Sequence, residues 1–270
     1  MSPRFPIPIP LRPMVTPLPS AQPLAQHFLQ PRMIDQLANI GVVLVEIHAA
    51  GANFFDLLQM AGKYQNQPPF PFVLGTEFAG TILSAPPSFP LSAGDQVFGS
   101  AQGAYAEKII AQKETLHKIP SGWSFRDAAG LSVTAPTSYA ALVLRAKLQP
   151  GEICLVHAAA GGVSLTAVQI AKALGATVIA TSSPQKFKVA KRFGADYTVD
   201  YTRKEWIDEV KGLCKKLGKG GVDVVYDSVG KIEESLKVIA WNGRILVIGF
   251  AGGKIEKVAM NRVLSMIDAV

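Results

Sequence analysis

Beyond Glu152 the chain alternates short apolar runs with amphipathic ones. ICLVHA, TVIATS, YTVDY, VDVVYDSVG and RILVIGF read as strands, and QKFKVAKRFGA and KEWIDEVKGLCKKL between them read as helices. Strands separated by helical lengths cannot pair as hairpins, and each crossover returns the next strand parallel to the last with a right-handed connection. This half is therefore predicted to be a doubly wound α/β domain on a parallel sheet.

The first strand of that half runs into HAAAGGVSLTAVQIAKALGA. Ala167, Ile170, Ala171 and Leu174 recur at helical spacing on one face, and Gly175 suits the C-terminal end. A strand, a tight turn of small residues and a buried helix present free N–H groups and the positive end of a helix dipole, which suit a pyrophosphate. Aligned to G-x-G-x-x-G, the turn reads Ala159, Gly161 and Ser164, so two of the three glycines are replaced. An NAD site carries an acidic residue about 20 positions further on, for the ribose hydroxyls. Here that place holds Thr181, Ser182 and Ser183, followed by Lys186 and Lys188. Hydroxyls and ammonium groups accommodate a 2′-phosphate that a carboxylate would repel, which favours NADPH.

The first half has a different texture. GVVLVEIHAAG, VLGTEFAGTIL, DQVFGS and AYAEKIIA are short β-rich runs broken by Gly, Pro and Asp, the pattern of an antiparallel, barrel-like domain. The texture changes near Leu148 to Glu152, giving three expected segments: a proline-rich, disordered tail over 1–34, a β-rich domain over 35–148 and a nucleotide-binding domain over 149–270. The tail has no acidic residue before Asp35, and its prolines spoil the amphipathic helix of a mitochondrial transit peptide, which stays as the weaker reading. Residues 153–171 carry no Asp, Glu, Lys or Arg, but their double glycine and polar residues argue against a membrane span. The net charge of +7 over 270 residues admits an anionic partner. The two cysteines, Cys154 and Cys214, are unrelated in spacing and point to a reducing compartment. His48, His117 and His157 stand singly and read as structural, and Trp206 and Trp241 as core.

The segments GANFFDLLQMAGKYQNQPPFPFVLGTEFAG, GDQVFGSAQGAYAE, LVHAAAGGVSLTAVQIAKALGATVIATSS, KRFGADYTVDY, VDVVYDSVG and GRILVIGFAGG resemble, in order, the zinc-independent quinone oxidoreductases of the medium-chain dehydrogenase/reductase superfamily. The resemblance runs from about Val42 to Leu264. It implies a GroES-like catalytic domain, a Rossmann domain and NADPH in the cleft between them, with hydride passing to a quinone or another α,β-unsaturated carbonyl. By the same resemblance Asn53 lines the nicotinamide site, Tyr64 faces the substrate and Thr137 lies beside the nicotinamide ring; Tyr64, by its place beside the cleft, or an ordered water is the candidate proton donor. Ala160, Gly161, Gly162 and Val163 form the pyrophosphate turn, Ser182, Lys186 and Tyr201 the 2′-phosphate pocket, and Phe250 a further cofactor contact. Zinc-dependent relatives carry a Cys near Asn53 and a His where Thr76 stands, so no metal is expected here.

Three departures qualify the resemblance. A proline-rich sequence stands where the family has its first strands, Ser164 places a hydroxyl at a crowded helix–strand contact, and MNRVLSMIDAV stops where the family continues into a last strand. The Rossmann domain is thus expected to be incomplete at its C-terminal edge, where the family forms its homodimer. The alternatives are an enoyl-thioester reductase and, from another class, a non-catalytic NADPH- or RNA-binding relative or an inactive fragment. No RNA-recognition motif accompanies the lysines, so nucleic acid is not an expected partner. The cytoplasm is the default compartment.

Overall fold

The computed structural model describes residues 41–253 and 256–259. The proline-rich tail and the MNRVLSMIDAV end lie outside the described residues. Among those described, one compact unit ends at Thr134 and a second begins at Ala135. That division falls upstream of the change in texture near Leu148. The reason is packing: Ala141, Leu142, Ala146 and Leu148 are buried in the second unit's core.

The first unit is built on a five-stranded antiparallel sheet. Its strands are β1 (Val42–Gly51), β2 (Glu77–Ser84), β3 (Gln96–Ser100), β4 (Lys108–Gln112) and β5 (Leu116–Lys118), in the order β4-β1-β2-β3-β5. Alternation sends Val43, Val45, Phe78, Ile82, Val97, Ile109 and Ala111 into one core. Ala79 on the opposite face packs with Ala128 and Ala129. The ladder between β1 and β2 shifts register between Ile47 and Ala49, a bulge at His48. Helix α1 (Phe54–Met60) follows β1; α2 (Phe125–Ala128) and α3 (Leu131–Tyr139) follow β5. Pro136 lies inside α3, after which the backbone widens into a π-helical stretch over Ala140–Arg145.

The second unit carries the parallel sheet that the alternation predicts. Strands β6 (Ile153–Val156), β7 (Thr177–Ser182), β8 (Tyr197–Asp200), β9 (Val222–Asp227) and β10 (Ile239–Val247) pair in the order β10-β9-β6-β7-β8, every pair parallel. The chain moves outward from β6 through β7 to β8, then crosses back to start again at β9, so the switch point lies between β6 and β9. Both faces are covered, as a parallel sheet requires. Cys154, Val156, Val178 and Ala180 face Ala167, Val168, Ile170 and Ala171 of helix α4 (Gly162–Ala173). Ile153, Leu155, Ile179 and Val225 share the other core with Trp206, Val210 and Cys214 of the helix Trp206–Lys216. Gly175, at φ +81°, follows the end of α4 as its spacing predicts.

Trp206 is core as expected, but Trp241 is 56% exposed. The β10–β9 ladder loses register between Ile239 and Arg244, and Asn242 takes φ +56°, so this part of the strand departs from the buried alternation. Both cysteines are buried thiols, and burial pushes Cys154 up to about 12, which leaves it unreactive. No helix among the described residues is long and apolar enough to cross a membrane.

Candidate functional site

In the first unit, Asn53 caps α1. Its backbone N–H donates to Asp56 Oδ2 at 2.8 Å in a capping box, and its Nδ2 donates to Glu77 Oε1 at 2.8 Å. Glu77, the first residue of β2, is 1% exposed. Its other oxygen accepts from the Val133 N–H at 2.9 Å. Burial raises the Glu77 pKa, against the lowering effect of the Asn53 and Val133 hydrogen bonds. Gly51 makes room for it: a Cβ there would lie 2.5 Å from Glu77 Oε1. Tyr105 Oη donates to Asp56 Oδ2 at 2.7 Å, and burial first, then Asp56, raises the Tyr105 pKa. The Asn53 amide is thereby held from two sides, with Nδ2 donating to Glu77 and the side chain turned back onto the first turn of α1 in the capping box. The sequence reasoning passed over Glu77. Its signal was a carboxylate at the head of an otherwise apolar strand, GTEFAG.

Tyr64 stacks on Phe55, with ring centroids 5.4 Å apart, and both line a groove of about 470 Å³ with Gln59, Gln67, Thr76 and Gln102. The groove lies wholly within the first unit. Thr137 belongs to the second unit, half-buried and directly after Pro136.

In the second unit, the small-residue turn follows β6. Ala158 takes φ +46°, the Ala159 N–H donates to Thr181 O at 2.9 Å, and Gly161 caps α4 in extended conformation without a side chain. Gly161 and Gly162 are exposed, and a Cβ on Gly161 would meet only Ala158 O, at 3.4 Å. The first N–H groups of α4 have no acceptor within the helix, so the turn fits a phosphate. Ala160 is buried behind it, and the Val163 carbonyl accepts from Ser138 Oγ at 2.8 Å. The hydroxyl of Ser164 finds its room by bonding: Oγ donates to His157 O at 2.9 Å and lies 3.0 Å from Ser228 Oγ, tying the helix to the ends of β6 and β9.

Ser182 ends β7 and pairs with Asp200 at the end of β8, so Tyr201 follows immediately at the neighbouring strand end. Lys186 lies four residues past Ser182, at the end of a 3₁₀ turn. Ser182 is buried, with Oγ donating to Ser183 O, whereas Lys186 and Tyr201 are exposed. The Asp200 carboxylate is occupied locally, with Oδ1 accepting from the Thr202 N–H and hydroxyl. Lys186 and Tyr201 thus offer an exposed ammonium and phenol near the ends of β7 and β8, while the Ser182 hydroxyl is spent on the backbone. Phe250 lies just beyond β10, past Gly249, whose N–H reaches back to Asp227 O.

His157 is structural, as expected of a lone histidine. It is 2% exposed, with Nδ1 3.0 Å from Thr181 Oγ1, Nε2 3.0 Å from Ser235 Oγ and its ring edge-on to Trp206. Burial lowers its pKa from 6.5 to about 4. In that window the unfolded chain binds the proton that the fold refuses, so this contribution is complete above pH 6.5 and is lost as pH falls toward 4. The full contribution is roughly 3 kcal/mol. Urea midpoints of the wild type are expected to fall more steeply between pH 6.5 and 4.5 than those of His157→Gln. Parallel pH profiles would remove His157 as the cause.

An antiparallel unit with a capped, carboxylate-held asparagine and a doubly wound unit with a phosphate-fitting turn define a two-domain dehydrogenase or reductase. Comparison with known proteins makes this specific. Residues 39–121 match the alcohol dehydrogenase GroES-like domain, and residues 162–267 match the family described as zinc-binding dehydrogenase. Quinone oxidoreductase-like protein 2 of Mus musculus is 40% identical over 251 residues, which cover 89% of this chain and 71% of the relative. The structure of Escherichia coli quinone oxidoreductase complexed with NADPH matches with a TM-score of 0.75 at 33% identity, covering 84% of this chain and 70% of that one. The CurK enoyl reductase matches with a TM-score of 0.74 at 30% identity, covering 93% and 74%. The chain belongs to the quinone oxidoreductase-like family of the medium-chain dehydrogenase/reductase superfamily.

Proposed function

We propose that the chain is an NADPH-dependent oxidoreductase that reduces a quinone or another α,β-unsaturated carbonyl without zinc. The observation that carries this reading is the carboxyl edge of the parallel sheet. The reading is supported by a small-residue turn after β6, beside the switch point, and by Ser182 rather than a carboxylate at the end of β7, with Lys186 and Tyr201 following β7 and β8. NADPH, when bound, supplies the hydride.

The chain's own residues bind and orient. Backbone N–H groups of Gly162 and Val163 take the pyrophosphate at the Gly161 cap, whose own N–H donates to Ala158 O at 2.9 Å, with Ala160 and Phe250 packing beside the nucleotide. Lys186 and Tyr201 hold the 2′-phosphate with the β7 end at Ser182. Asn53, fixed by Glu77, is assigned to the nicotinamide site, and Thr137 to the side of the ring. Tyr64 donates the proton to the reduced oxygen from the groove wall. An enoyl-thioester reductase is the second reading, favoured by the likeness to the CurK enzyme; NADPH oxidation with a small quinone against a crotonyl thioester separates the two.

A thermal-shift titration with NADPH beside NADH tests the cofactor assignment. At one hundred times its Kd, NADPH is expected to stabilise the fold by about 2.7 kcal/mol, with NADH giving markedly less. Lys186→Ala should bring the two curves together. Equal shifts in the wild type, or none, would overturn the assignment.

A further inference from the structure

The groove in the first unit has a fixed hydrogen-bond polarity. Gln102 Nε2 donates to the Val73 carbonyl at 2.6 Å, which turns Gln102 Oε1 toward Gln59. Gln59 Nε2 donates to that oxygen and to the Asn66 carbonyl, both at 3.3 Å. The chain is anchored at two backbone carbonyls, which only accept, so flipping either amide would set oxygen against oxygen. Gln59 is 4% exposed, and its Oε1 has no hydrogen-bond partner among the described residues. This oxygen is therefore a buried acceptor of fixed polarity on a residue that lines the groove. Thr76 Oγ1 and both amide atoms of Gln67 are also unpartnered there, but these can turn to donate or accept. The stacked Phe55 and Tyr64 supply a flat apolar wall.

An unsubstituted para-quinone offers only acceptors, and its oxygens would meet Gln59 Oε1 acceptor to acceptor. We infer that Gln59 is a specificity-determining residue whose Oε1 accepts from an O–H or N–H carried by the bound molecule. The groove thus selects an unsaturated carbonyl bearing a hydrogen-bond donor over one that bears none. The inference rests on reading this groove as the acceptor side of the reductase. Two sources share the required chemistry: a ring hydroxyl, as on a hydroxylated or reduced quinone, and the secondary amide of a thioester's pantetheine-like arm.

Direct binding to the full chain, measured by calorimetry without turnover, tests this with two matched pairs. One is hydroquinone against its capped form 1,4-dimethoxybenzene; the other is S-crotonyl-N-acetylcysteamine against its N-methylated form. Loss of one buried hydrogen bond partner corresponds to at least a roughly ten-fold weaker affinity. In at least one pair the uncapped probe is expected to bind that much more tightly, and the pair that does so identifies the donor as hydroxyl or amide. Gln59→Met, which keeps the length of the side chain but not its acceptor, should bring that ratio near one. Equal affinity within both pairs, as a water held on Gln59 would give, overturns the inference, as does a failure of all four probes to bind. The wild-type comparison needs no variant, so misfolding of Gln59→Met leaves it decisive. A NADPH-specific thermal shift with no donor preference would sink the Gln59 assignment alone; loss of both would sink the reductase reading with it.

Discussion

Gly80→Ala is expected to disrupt the first unit more than any other single methyl added to it. A Cβ at Gly80 would stand 1.9 Å from the Glu46 carbonyl oxygen and 2.8 Å from its carbon. Both are backbone atoms of the adjacent strand, so no side chain can swing aside. The close approach sits beside the bulge at His48, where β1 and β2 change register. To admit the methyl, the central pair of the sheet must separate, and the same strand carries Glu77 into the site three residues earlier. The expected loss is at least about 3 kcal/mol, at the upper end for overpacked positions. Urea denaturation followed by far-ultraviolet circular dichroism would read it. Gly212→Ala is the control: it lies within the helix Trp206–Lys216, and nothing would stand within 4 Å of its Cβ. That change should be neutral or stabilising by up to about 1 kcal/mol. Similar midpoints for the two variants would show that the approach at Gly80 yields freely.

The parallel sheet was legible because its causes are local. A strand covered on both faces must be apolar throughout, and ICLV, TVIATS and VDVVYD show this before any partner is known. The buried face of α4 follows from spacing alone, and so does the turn that begins it. The residues that hold the site in place were not legible, because their roles depend on distant partners. Glu77 matters through Asn53, 24 residues away, and Val133, 56 away. Gln59 reads as one more polar residue of a short helix until Gln102 and Asn66 fix which end of its amide is left without a partner. Trp241 misled for a related reason: β10 keeps its apolar composition while slipping out of register, and composition carries no record of register. The division at Thr134 was hidden because α3 is continuous across it.

Asp227→Ala should be the most damaging polar substitution in the second unit. Asp227 ends β9 beside the switch point and is fully buried. Its Oδ1 accepts from the Val229 and Gly230 N–H groups, both at 2.9 Å, and its Oδ2 from the Lys231 N–H at 2.6 Å. One carboxylate thus folds the DSVG loop back onto the strand, while the Asp227 carbonyl accepts from Ile248 N–H at 2.7 Å and steers the chain leaving β10 toward Phe250. Alanine leaves three half-buried donors without an acceptor. At about 1–3 kcal/mol for each fully buried donor, reduced by water reaching the loop, the loss is on the order of 3–4 kcal/mol. Asparagine separates the hydrogen bonds from the volume of the side chain. With its oxygen at the Oδ1 position it keeps two donors satisfied and sets an NH₂ against Lys231 N–H, so its loss should be intermediate. Equal denaturation midpoints for Asn and Ala would mean that the three bonds do not act as a clamp. The nucleotide response gives an independent reading: if the switch point holds NADPH, the residual folded Asp227→Asn protein should show a smaller NADPH-induced shift than wild type. An unchanged shift would confine the clamp to stability and place the nucleotide's contacts on the α4 turn and the β7 end alone.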